Sequence, residues 1–302
     1  MYTMNSNMID YAQDYINFLK NCASIHAKTY DGKTALDIAT RKGHVAIVKI
    51  LLENGANVHA IDDYGNTALH IAALYDRVAV VKTLLENGAD VHAIDDEGST
   101  ALHIAARNGH VPVIEILLEN GANVHVIDDE GNTALHIATE KGRAAVVKSL
   151  LENGANVHNK DKEGKPALYH ASQNGHIAVI KTLLENGAKV HDKDEWGRTA
   201  LHIATLYDRV AVVKTLLENG ANIHHKDDAG STALHIATRN GRRTIVNLIN
   251  HTLRMKRLRS YAKVVGRFIV LYKNVLEARY TPGGSGYLEC NAEFNQCISS
   301  TQ

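Results

Sequence analysis

From Asn66 to Gly98, two short runs of apolar residues at helical spacing are separated by a polar turn and followed by a polar loop. Ala68, Leu69, Ile71 and Ala72 form the first apolar face, with small residues suited to close packing. Thr67 stands where an N-cap belongs and His70 three residues on, at the place of a capping-box partner, so a first helix is expected to start after Thr67 and stop near Tyr75. Val78, Val81, Leu84 and Leu85 predict a second helix, closed by Asn87-Gly88 as a C-cap. The following Ala-Asp-Val-His-Ala-Ile-Asp-Asp-Glu-Gly combines β-branched residues with an Asp/Gly cluster, the signal of an extended turn. The unit is therefore helix, turn, helix, protruding loop.

The pattern returns every 33 residues without insertion. Thr34, Thr67, Thr100, Thr133, Thr199 and Thr232 open Thr-Ala-Leu-His, with Asp37 replacing the first His, and Pro166 opens Pro-Ala-Leu-Tyr in the remaining slot. A strict period of this length marks a stacked array, in which two short helices bury their apolar faces only against the next unit. The turn between helices carries Gly43, Gly109, Gly142, Gly175 and Gly241, which predicts a left-handed backbone; Asp76 and Asp208 replace Gly, and Asp tolerates that region better than most residues.

Thr-Ala-Leu-His-Ile-Ala, the Gly-His pairs at Gly43, Gly109 and Gly175, and Leu-Leu-Glu-Asn-Gly-Ala together resemble the ankyrin-repeat pattern from about Ile25 to Asn250. Departures are Ala instead of Pro after Thr, Asp37 for the first His, and His rather than Asn after Val in the loop. The resemblance implies an all-α ankyrin solenoid with β-hairpin-like loops, whose partners bind loop tips and the exposed, concave side of the first helices. Seven repeats are expected over 29–251, preceded by an N-terminal capping half-repeat over 1–28, where Tyr15, Phe18, Leu19 and Ile25-His26 fall into register, and followed by a basic C-terminal helix and tail over 252–302.

Repetition removes most chemical candidates. Of 18 histidines, seven lie 33 apart from His26 to His224, five are Thr-Ala-Leu-His histidines and three are Gly-His histidines. Repeat copies sit about 8–10 Å apart, whereas zinc ligands lie about 2 Å from one ion, so the ladder predicts no metal site. His170, His225 and His251 are too scattered to suggest one. The recurring pairs Asp62-Asp63, Asp95-Asp96, Asp128-Asp129 and Asp227-Asp228 read as turn chemistry. Cys22, Cys290 and Cys297 form neither a CxxC nor an even set, which favours a reducing compartment. No phosphate loop, nucleophile elbow or HExxH is present, so no catalytic residue, cofactor or small-molecule substrate is expected. The N-terminal stretch lacks a basic region and no run approaches a membrane span, pointing to a cytoplasm, with non-classical secretion into a host cell as an alternative.

Function is sought where the copies disagree. The residues before the tip glycine are Tyr64, Glu97, Glu130, Glu163, Trp196 and Ala229 after the first loop, and Trp196 is the sole tryptophan. After Ile-Ala of the first helix, two repeats carry Leu74-Tyr75 and Leu206-Tyr207 where others are polar, as at Arg107 and Arg239. Exposed Trp, Tyr and Arg are enriched at binding hot spots, so Tyr64, Leu74, Tyr75, Arg107, Trp196, Leu206, Tyr207 and Arg239 form the candidate protein-binding set. Against this, residues 66–98 match 198–230 at 26 of 33 positions, so the Leu-Tyr pairs also fit a simple duplication.

Charge separates the tail from the array: residues 250–302 carry +5 and residues 1–249 carry −5. Repeat seven has Thr252-Leu253 in place of Asn-Gly, which predicts that its second helix runs on. Leu258, Tyr261, Val265, Phe268, Tyr272 and Val275 then form a helical stripe among Arg and Lys, before Thr-Pro-Gly-Gly-Ser-Gly ends the helix and Tyr287 to Ile298 add a short element. The favoured reading is a cap that folds back. The alternative is an effector-type adaptor whose helix recruits a second protein complex, such as ubiquitin-ligase machinery. Membrane or nucleic acid ranks lowest, because the stripe lacks Trp and any nucleic-acid motif.

Overall fold

The computed structural model describes residues 25–280, with side chains through 274, and places fourteen helices among them. The N-terminal half-repeat up to Ser24, the Thr-Pro-Gly-Gly-Ser-Gly stop and the element at Tyr287 to Ile298 lie outside the described residues. Two compact units meet at the Arg242/Arg243 bond.

The first unit is seven first helices and six second helices in alternation. The first helices are α1 (Ala35–Lys42), α3 (Ala68–Leu74), α5 (Ala101–Asn108), α7 (Ala134–Glu140), α9 (Ala167–Asn174), α11 (Ala200–Leu206) and α13 (Ala233–Arg239). The second helices are α2 (Val45–Glu53), α4 (Val78–Glu86), α6 (Val111–Glu119), α8 (Ala144–Glu152), α10 (Ile177–Glu185) and α12 (Val210–Glu218). Each first helix packs on the first helix of the next repeat, each second helix on the next second helix, and the two helices of a repeat on each other, which makes two parallel rows.

Helices of seven to nine residues are too short to persist alone, so the rows depend on side chains buried between repeats. Leu36, Leu69, Leu102, Leu135, Leu168 and Leu201 form one buried ladder on the first row, and Leu51, Leu84, Leu117, Leu150, Leu183 and Leu216 another on the second. The burial within each second helix differs from the expected stripe. In α4 the buried set is Val80, Val81, Thr83 and Leu84, while Val78 and Leu85 are half-buried, because this helix is covered from two sides, by its own repeat and by its neighbours.

Thr-Ala-Leu-His is a cap with two functions. The Thr67 N–H donates to His70 Nδ1 at 3.1 Å, closing the capping box, and the far ring nitrogen faces the Ala93 carbonyl at 3.0 Å. Nδ1 must accept and Nε2 must donate, so the geometry sets a neutral Nε2–H tautomer. The same bonds recur at His103 to Val126, His136 to Asn159 and His202 to His225, each spanning 23 residues to the following loop.

Asp37 reproduces only half of this. Its Oδ2 accepts from the Thr34 N–H at 2.7 Å, but a carboxylate cannot donate to the next loop, and Oδ1 is buried with no partner among the described residues. Burial raises its pKa, ahead of the Thr34 hydrogen bonds that lower it. Asp37→His supplies the missing donor toward the Ala60 carbonyl, at the offset that the other four histidines use. It is expected to stabilise the first repeat by about 1 kcal/mol at neutral pH. A lower urea midpoint for the variant would contradict this account of the cap.

The inter-helix turn is left-handed as expected, with φ of 77° at Gly43 and 55° and 57° at Asp76 and Asp208. The loops close by short antiparallel bridges, such as Ile61 with Thr67 and Ile94 with Thr100. The Asp at this loop position fixes the turn: Asp62 Oδ1 accepts from the Tyr64 and Asn66 amides at 3.0 and 2.9 Å, and Asp95, Asp128 and Asp161, the last without a paired Asp, do likewise. At the tip, Gly98 has φ 70°, and a Cβ there would stand 3.0 Å from the Asp129 amide nitrogen of the next loop, so only Gly allows both the turn and the approach.

The second unit begins with α14, a helix over Arg243–Tyr280 that continues past the place where earlier second helices stop. Among the described residues no helix is long and apolar enough to cross a membrane.

Candidate protein-binding face

Loop tips and first-helix C-termini are held in place by bonds between repeats. At four tips the amide of one loop donates to the carbonyl of the preceding one: Asp63 to Asp31 at 3.4 Å, Asp96 to Tyr64 at 3.2 Å, Asp129 to Glu97 at 3.0 Å and Asp228 to Trp196 at 3.0 Å. The backbones of Tyr64 and Trp196 are thereby anchored, while their side chains stay 63% and 48% exposed.

A second set of bonds was not legible in the sequence. The residue after the left-handed turn is His or Arg, and in five repeats its ring or guanidinium N–H reaches back 36 positions to a carbonyl at the end of the preceding first helix. Arg77 Nε donates to Arg41, His110 Nε2 to Leu74, Arg143 Nε to Arg107, His176 Nε2 to Glu140 and Arg209 Nε to Gln173, at 2.9–3.3 Å. The alternation of His and Arg at one register position was the available signal, because both are N–H donors suited to a bare helix-terminal carbonyl.

The three residues after Ile-Ala divide by depth. The first is core in six repeats: Thr40, Ala73, Ala106, Thr139, Ser172 and Thr205 are buried. The second and third carry the variation to the surface, with Leu74 and Tyr75 at 42% and 43% exposure, Leu206 half-buried and Tyr207 exposed. Arg107 is half-buried and lies 3.8 Å from Glu97, and Arg239 is exposed.

Two groups of candidates emerge. Tyr64, Leu74 and Tyr75 line one cleft of about 140 Å³ between the first two repeats, together with Ile38, Arg41 and the buried Asp37. Trp196 belongs to a different assembly four repeats along. Its ring stacks against the Arg198 guanidinium, 4.5 Å from the centroid, and Arg198 Nε donates to the buried Asp194 carboxylate at 2.8 Å. Arg198 also donates to the Tyr169 hydroxyl at 3.3 Å, so Tyr169, which replaces the capping His, ties its repeat to the next by a side-chain row instead of a loop carbonyl. Arg107, beside Glu97, and Arg239 lie outside the cleft lining.

The same repeat holds an unusual charge arrangement. His170 donates from Nε2 to Asp161 at 3.0 Å, and its ring meets His136 edge-on with centroids 5.8 Å apart. Burial alone would raise the Asp161 carboxyl, but hydrogen bonds from His170 and the Lys165 amide outweigh it and hold it below its ordinary value. Burial, with the charge of His170 adding to it, pushes His136 down to about 4. The histidines at His59, His92, His125, His158, His191 and His224 are exposed on the loops, and among the described residues no three His, Cys, Asp or Glu side chains gather as a metal would need.

Anchored tips, a row of paired helices and a variable surface on a repeated frame define a repeat-built interaction module. The ankyrin-repeat family profile, described as "Ankyrin repeats (3 copies)", matches residues 3–95, 89–161, 115–194, 147–227 and 168–256, and the chain belongs to that family. Among solved structures it is similar to the ankyrin repeat domain of Bcl-3, described as a unique member of the IkappaB protein family. That likeness has 31% identity and a TM-score of 0.65, over 74% of this chain and 99% of that one. No curated relative matches the chain in sequence.

Proposed function

We propose that the protein is a non-catalytic scaffold that grips a partner protein by its loop tips and first-helix face. The observation that carries this reading is the cleft of about 140 Å³ that joins Tyr64, Leu74 and Tyr75 from one loop and one helix. Family membership makes the array a protein-interaction module in general; the cleft and the Trp196 row give it particular places to bind. Aromatic residues held on a rigid backbone lose little conformational entropy on binding, which is why they dominate hot spots.

Trp196→Ala with Tyr207→Ala is expected to weaken a partner recovered on the immobilised full chain by roughly 2 kcal/mol or more, while the melting curve stays in place. Unchanged binding by the double variant would remove this half of the face, and Tyr64→Ala with Tyr75→Ala tests the cleft in the same assay. The adaptor reading, in which residues 252–302 recruit a second protein complex, draws on the exposed apolar side chains of α14. The charge pattern of that helix favours a different occupant.

A further inference from the structure

We infer that α14 is an interfacial helix that lies on an anionic lipid surface. At 3.6 residues per turn, Leu258, Tyr261, Val265, Phe268, Ile269 and Tyr272 fall within an arc of about 100°. Lys256, Arg259, Lys263, Arg267 and Lys273 fall within a separate arc of about 120°, centred about 150° away. Arg257 stands on the border, Arg254 opens the apolar arc at its N-terminal end, and Val270 lies among the cations.

Averaged over all 38 residues of the helix this segregation is lost, because the portion before Arg254 follows the repeat's register and not this one. Five members of the apolar arc are well exposed, from 54% at Val265 to 70% at Tyr261, while Phe268 is half-buried. Large apolar side chains thus stand exposed along about four turns.

Charge selects the occupant. From Arg254 to Lys273 there are seven Lys and Arg and no Asp or Glu, and the run without an acid extends from Ala229 to Leu276. Cations spaced along about 25 Å of helix match a continuous anionic plane better than a single acidic pocket. The apolar arc is made of Leu258, Val265, Ile269, Phe268 and two tyrosines, a mix that suits the boundary between headgroups and acyl chains, where tyrosine is favoured. Nucleic acid would satisfy the cations and leave the apolar arc uncovered. The helix is not apolar enough to span, so it would lie in the surface plane. Absence of Trp weakens anchoring without removing this geometry.

The test uses the full chain, sedimented with vesicles of phosphatidylcholine alone or with phosphatidylserine added. Binding is expected only with phosphatidylserine and is expected to fall as salt rises. Lys263→Gln with Arg267→Gln should weaken it about 30-fold, from roughly a kcal/mol per cation. Val265→Asp with Ile269→Asp should abolish it, and neither pair should shift the melting of the array. No binding to phosphatidylserine vesicles overturns the proposal, as does equal binding to phosphatidylcholine or by all variants. Preferential binding of duplex DNA that survives Val265→Asp with Ile269→Asp assigns the helix to nucleic acid. Concentration-dependent dimers abolished by Lys263→Gln with Arg267→Gln assign it to the acidic array of a second copy. A partner protein still held by the array while vesicle binding fails separates this proposal from the scaffold reading.

Discussion

Acidification from pH 7 to pH 4.5 is expected to destabilise the array by several kcal/mol, well before most carboxylates titrate. Four histidines, His70, His103, His136 and His202, accept a cap amide at Nδ1 and face a carbonyl at Nε2. A proton on Nδ1 would break the cap and place a charge in the buried seam between repeats. Burial lowers the pKa of all four, and that of His136 to about 4, where the neighbouring His170 adds to the effect.

The unfolded chain protonates these rings near pH 6.5, so below that pH it binds more protons than the folded state. Their stabilisation is complete above pH 6.5 and is lost as pH falls, ending for His136 near pH 4; that residue alone accounts for roughly 3 kcal/mol. Asp37 acts in the opposite sense, since its raised pKa makes the folded state bind a proton more readily, and its contribution grows only toward the acid end of the range. One such site does not balance four. Urea midpoints measured between pH 7 and pH 4.5 check this. His136→Gln, which keeps an acceptor and a donor but does not titrate, should flatten the curve. A midpoint independent of pH would show that the rings are not held neutral.

Leu150→Ala is expected to cost about 2–5 kcal/mol, because the side chain is fully buried in the second-row ladder and its removal leaves a cavity between neighbours. Its place in α8, in the middle of the array, adds a second consequence. Stability in such an array is close to a sum of repeat and interface energies, so a weakened central interface uncouples the two sides. Denaturation of the variant should broaden or divide into two steps, whereas the parent chain unfolds more cooperatively. An unchanged midpoint and slope would mean that Leu150 does not lie in the stacking register.

The period, the helix boundaries, the left-handed turns at Asp76 and Asp208 and the turn function of the paired aspartates were all readable in one dimension. They follow from local chemistry: a cap, a Gly or Asp turn and an apolar face depend on residues a few positions apart. The long reach of the histidines was not readable. Thr67 and His70 announce a capping box, yet nothing nearby announces that the far nitrogen meets Ala93 in the next loop, or that Arg77 and His110 hold first-helix carbonyls 36 positions back. Likewise, Trp196 was conspicuous as the sole tryptophan, but its stack on Arg198 and the link onward to Tyr169 arise only when repeats are in contact.

The candidate surface shows the same division. Sequence variation pointed to Tyr64, Leu74, Tyr75 and Trp196 singly, and packing sorted them, placing three around one cleft and the fourth in a separate row. For the tail, the sequence alone established that the cap signal is missing after Asn250 and that the following helix is basic on one side. Only the three-dimensional structure showed Leu258, Tyr261, Val265, Ile269 and Tyr272 exposed. A periodic pattern records which side of a helix is apolar; whether that side is buried depends on whether another element packs against it, and that is a property of the folded chain.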